Sequence, residues 1–153
     1  MTIQSRRRLF VTLVMAVGLV GIAGVASAQG LVCVALDHGA PAKPLLQVVV
    51  TPVGNGFASL VGRRTHPMAG DRGAVSGGMV TTNGVFEVTL QSTTIATTQQ
   101  FGPMPVLISG STHILLNPAT LAGTSKTVET VTSEGGSLSI EHTAGTASVV
   151  ACP

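Results

Sequence analysis

The chain has 153 residues, 44% of them hydrophobic and only 9% charged, and its formal net charge of +2 is carried by Arg6, Arg7 and Arg8 at the N-terminus. The rest sets Lys43, Arg63, Arg64, Arg72 and Lys126 against Asp37, Asp71, Glu87, Glu129, Glu134 and Glu141, a balance near −1 that offers no electrostatic footprint for nucleic acid or an anionic membrane. With no Trp or Tyr, and only Phe57, Phe86 and Phe101 after the N-terminal segment, the stacking platforms that single strands and sugar rings need are missing as well.

In chain order, residues 1–28 read as a cleavable bacterial signal peptide. Three arginines without an acid form the positive end, and Leu9 to Val25 carry no charge. The segment ends in Ala26-Ser27-Ala28, whose small residues suit signal peptidase, so cleavage is expected before Gln29. An uncleaved anchor is the competing reading, because about 17 apolar residues reach the lower limit for a membrane span; the Ala-x-Ala site weighs against it. Cys33 follows Gly30-Leu31-Val32 and lies beyond the cleavage site, unlike a lipoprotein cysteine. Ser5-Arg6-Arg7-Arg8-Leu9-Phe10 partly matches the twin-arginine export signal, but Val11 replaces the frequent Lys and the apolar run is long, which favours the general secretory route. Membrane contact is expected only through this segment before cleavage, and the destination is periplasmic or secreted.

What remains, 29–153, has the size of a single domain. Thr, Val, Ser and Gly dominate it, and its periodicity is that of strands. Leu46, Val48 and Val50 alternate with Gln47, Val49 and Thr51, and Phe86, Val88 and Leu90 with Glu87, Thr89 and Gln91. Leu138, Ile140 and His142 alternate with Ser139, Glu141 and Thr143, which predicts that the first set faces inward. Gly54-Asn55-Gly56, Asn83-Gly84 and Gly135-Gly136 supply residues for hairpin turns, Asn83-Gly84 most strongly. Loops are expected at 38–44, 65–73 and 99–105. The one helical candidate is a turn or two at 118–122, with Asn117 as cap, Pro118 in the first position and Gly123 as stop.

The predicted strands are 31–36, 46–53, 57–64, 74–82, 85–95, 105–116, 126–132, 137–143 and 146–151. Joined by short turns, they form an all-β antiparallel meander that closes into an up-and-down barrel or, alternatively, folds as a two-layer sandwich. Cys33 and Cys152 stand near the two ends of the domain and are expected to form one disulfide in an oxidising compartment. A barrel would bring them together across its closing seam.

Chemistry is sparse. His38, His66, His113 and His142 lack metal-ligand spacing, so no metal site is expected. Asp37-His38 is an acid–base neighbour pair, but adjacent strand residues point to opposite faces. The sequence contains neither a Gly-x-Ser-x-Gly elbow nor a phosphate loop, a dinucleotide fingerprint or Cys-x-x-Cys. The reading is a non-enzymatic protein without a cofactor. Arg63, Arg64 and Arg72, with Phe101 on a separate loop beside Met104, are the candidate interaction patch; solvating arginines and a core-packed Phe101 are the plainer alternative.

These readings converge on an exported all-β binding module, for a small apolar ligand or an envelope protein. One alternative is a structural or surface-interaction protein of the envelope that pairs through strand edges. Another is a periplasmic enzyme inhibitor: terminal cysteines around an all-β domain are loosely similar to the C-type lysozyme inhibitors, although this chain is longer and lacks that family's aromatic residues.

Overall fold

The structure, a computed structural model, describes residues 29–39, 43–65, 72–96, 105–133 and 136–153. The predicted cleavage site at Ala26 and Ala28 lies outside these residues. Eight strands follow one another: β1 (Gly30–Asp37), β2 (Leu45–Gly54), β3 (Phe57–Thr65), β4 (Arg72–Thr82), β5 (Val85–Ala96), β6 (Val106–Asn117), β7 (Ala122–Ser133) and β8 (Gly136–Val150). Each pairs antiparallel with its chain neighbour, and β8 pairs with β1, so the meander closes into a barrel.

Local chemistry explains the connections at one end. Asn55 and Gly56 adopt φ of 52° and 78°, and Asn83 and Gly84 adopt 52° and 74°. Two consecutive positive φ values make the turn whose twist matches that of antiparallel strands, and Asn-Gly adopts them at least cost.

Register sets the barrel's geometry. From partner to partner, Gly30 leads through Val50, Leu60, Gly77, Leu90, Thr112 and Thr127 to Thr143. Because Thr146 pairs with Asp37, seven residues after Gly30, and Thr143 lies three further along β8, the stagger is ten residues around the ring. Such a stagger tilts strands by about 40° and leaves an eight-stranded interior just wide enough for side chains. Val34 and Leu36 (β1), Leu46 and Val48 (β2), Leu60 (β3), Val75 (β4), Val88 and Leu90 (β5), Ile114 and Leu116 (β6) and Ala147 (β8) fill it as one core, each at most 7% exposed. The alternations predicted at Leu46–Val50 and Phe86–Leu90 point inward as expected.

At Gly62, Gly77, Gly123 and Gly145 a Cβ would overlap the carbonyl oxygen of the neighbouring strand, at Gln47, Thr89, Leu115 and Asp37 respectively. These contacts fall on alternate seams of the ring, where the sheet bends too sharply to admit a side chain.

Three expectations need correction. No helix forms at 118–122: β6 runs to Asn117 and β7 starts at Ala122, leaving a tight connection in which Asn117 Oδ1 accepts from the Ala119 N–H and Leu121 takes φ of 54°. Four residues are too few for a helix once both strands extend to meet them. The strands predicted at 137–143 and 146–151 are one strand, β8, because Gly145 marks a close approach to β1 rather than a break. Ile140, 62% exposed, and His142 lie on the outer face, since they are out of phase with the inward Ala147 and pair with Thr130 and Val128 on the outward phase of β7.

Cys33 and Cys152 form a disulfide with a Cα–Cα distance of 5.2 Å, and Cys33 is paired with Val150 across the β1–β8 seam.

Candidate functional site

The two ends of the barrel differ. The short connections after Gly54, Thr82 and Asn117 and both ends of the domain lie at one end, whereas the longer connections after Asp37, Thr65 and Ala96 leave from the other, together with the short one between Ser133 and Gly136. Beneath this second end the lumen turns polar. Arg64 continues the inward series of Ala58, Leu60 and Gly62 on β3, and Glu129 continues Ser125 and Thr127 on β7. Their side chains form an ion pair across the lumen, with Arg64 Nη1 donating to Glu129 Oε1. Burial pushes the guanidinium pKa of Arg64 down, and its Nε–H is buried without an acceptor among the described residues. Below the pair, Thr112 and Thr127 share a buried 3.1 Å hydrogen bond. Val106, Val131 and Ile108 make a small second apolar cluster on the same inner phase, so the polar belt lies between two apolar layers.

His38 completes the belt. One step past β1 its ring enters the lumen, with Nε2 3.1 Å from Ser125 Oγ and Nδ1 3.5 Å from Thr143 Oγ1, while Ser125 donates to the Thr146 carbonyl at 3.4 Å. A neutral imidazole with its proton on Nε2 satisfies all three contacts. Desolvation and then the charge of Arg64 lower its pKa, against a smaller opposing effect of Asp37. Ser125 is 1% exposed and its hydroxyl is committed to a carbonyl, which suits a structural link.

Asp37 and His38 do not act as a pair. Asp37 binds Lys43 at 2.6 Å and accepts from the Gly39 N–H, and both contacts lower its pKa. Of the predicted patch, Arg63 and Arg64 point to opposite faces of β3. Arg63 lies on the outer face, donating to Gln47, while Arg64 points inside. The Arg72 backbone pairs with Thr65, and Phe101 lies outside the described residues, as do His66 and Met104. His113 meets Glu87 at 2.9 Å on the outer wall and His142 is exposed there. Among the described residues no three His, Cys, Asp or Glu side chains gather into a possible metal site.

Sequence reasoning missed Glu129, Thr112, Ser125 and Thr127. Their signal was present in phase alone: they share inward positions with Val131 on β7 and Ile114 on β6, where a polar residue has to find a partner across the lumen.

No known family model matches this chain, and neither the curated proteins nor the solved structures contain a match.

Proposed function

We propose that the mature chain is an exported, non-enzymatic binding module, periplasmic or secreted, that engages an envelope protein through the barrel end above Arg64, Glu129 and His38. The observation that carries this reading is the contrast between the two ends: an apolar core under short connections at one, a charged belt at the other, where three of the four connections are long. The lower lumen is occupied by core side chains, which favours a partner at the rim over an apolar ligand stored inside.

Export is supported by residues 1–28 and is compatible with the disulfide between Cys33 and Cys152. The apolar phase of the strands faces the lumen, while the outer wall mixes Thr, Ser, Gln and charged groups with scattered aliphatics. That polarity is the reverse of a membrane-spanning barrel and supports life in water. Assembly through open strand edges loses its basis in a closed ring.

The test places a photo-crosslinking residue at His38, and in a second protein at Asn83 on the opposite end, within the full chain expressed in a bacterial host. The reading expects a mature N-terminus at Gln29 by mass spectrometry, an exported product, and a discrete adduct from His38 only. Retention in the cytoplasm, or the same adducts from both ends, would refute it.

A further inference from the structure

We propose that the Cys33–Cys152 disulfide gates the ring, so that its reduction frees β1 from β8 and opens the barrel along this one seam while β2 to β7 stay paired. The proposal is independent of any partner at the rim.

The seam is built unlike the others. β1, with eight residues, is the shortest strand, and it meets β8 only over Cys33–Asp37 against Val150–Thr146. β8 in turn is held on its other side along Ala122–Ser133. All other seams join strands that are consecutive in the chain, whereas β1 and β8 lie at opposite ends of it, and the cysteines are 119 positions apart. The disulfide is therefore the one covalent tie across this seam, and it sits at the end of the ladder nearest the two ends of the domain. At the ladder's far end the seam relies on side chains: His38 reaches Ser125 and Thr143. With the disulfide intact, β1 and β8 cannot separate at the cysteine end; once it is broken, the shortest ladder of the ring is left with only the His38 contacts at its far end.

The two cysteines differ in exposure. Cys33 is 0% exposed, while Cys152 lies in the exposed stretch after β8. A dithiol reductant is thus directed to Cys152: its thiolate attacks the Cys152 sulfur, the S–S bond breaks, and Cys33 leaves as a thiolate. Burial disfavours that charge, so Cys33 takes a proton from solvent. The second thiolate of the reductant then attacks the mixed disulfide, releasing Cys152 and leaving the reductant as its own disulfide, a two-electron exchange.

Amide hydrogen exchange on the folded protein, with and without dithiothreitol, tests the gate. Reduction is expected to speed exchange about tenfold or more in Val34–Asp37 and Thr146–Val150 while β3 to β6 keep their protection. Cys152→Ser, measured without reductant, is expected to reproduce the pattern; if that variant does not fold, reduction of the native protein still supplies the readout. Unchanged protection at the seam would overturn the proposal. So would an equal rise in every strand, because the disulfide would then stabilise the fold as a whole and not this seam.

Discussion

Arg64 and Glu129 stand on β3 and β7, four strands apart in either direction around the ring, and bond to each other through its interior. Their side chains are 13% and 22% exposed. Small residues make room for this bridge: on the wall beside Glu129, a Cβ at Gly110 would come within 3.1 Å of the Glu129 Cγ and of Ser92 Oγ. A long cation thus fills lumen volume that the neighbouring positions leave open, and Glu129 keeps its charge compensated.

Removing one partner should cost more than removing both. Glu129→Ala leaves the guanidinium unpaired in a desolvated setting and is expected to destabilise the fold by about 2–4 kcal/mol, the lower part of the buried-pair range because some solvent reaches both groups. Arg64→Met combined with Glu129→Leu is expected to recover most of that loss. Urea unfolding of the single and double variants measures the difference; a double variant as unstable as Glu129→Ala would show that the pair is not what the belt depends on.

Gly123→Ala probes the corners of the barrel. The new Cβ would overlap the Leu115 carbonyl, a backbone atom that cannot rotate away, so β6 and β7 have to separate locally. The expected loss is about 1–3 kcal/mol. Gly30→Ala meets nothing within 4 Å and serves as control, with an expected change under about 0.5 kcal/mol. Thermal unfolding of both variants distinguishes a corner from a generic glycine effect.

The parts of this fold that can be read from sequence are those fixed by neighbours in the chain. Leu46–Val50 and Phe86–Leu90 show their inward phase because polar residues fill the alternate positions, and Asn83-Gly84 declares its turn by residue type. Leu138, Ile140 and His142 show the same alternation, yet Ile140 and His142 face out, since the register against β7 decides their phase. The polar belt was illegible for a related reason. Arg64 and Glu129 are brought together by strand number and stagger, and neither quantity is written in the spacing of 65 residues between them.

The turn at Asn83-Gly84 should tolerate only residues that accept positive φ. Asn83→Gly is expected to be near neutral, whereas Gly84→Val places a β-branched residue at φ of 74° and is expected to cost about 1–2 kcal/mol. Denaturation midpoints test this, and equal stability of the two variants would mean that the turn relaxes to another type.

Mild acid should weaken the barrel through His38. In the fold, burial and then Arg64 hold its pKa below the ordinary 6.5, with Asp37 opposing them more weakly. As pH falls below 6.5 the unfolded chain takes up a proton that the folded chain resists, so stability declines from there until the lower folded pKa is passed. Above 6.5 this contribution is constant. The groups facing the ring are Arg64, Ser125 and Thr143, with Asp37 adjacent and itself engaged by Lys43. Ordinary carboxylates titrate nearer pH 4, so the interval between pH 6.5 and 5 sets imidazole apart from carboxyl groups, and a His38 variant sets His38 apart from the other three histidines. His38→Gln, which keeps a polar group near Ser125 and cannot ionise, is expected to flatten the stability profile over that interval. A wild-type profile that is flat from pH 7 to 5, or a slope that His38→Gln leaves unchanged, would assign the acid response to other groups.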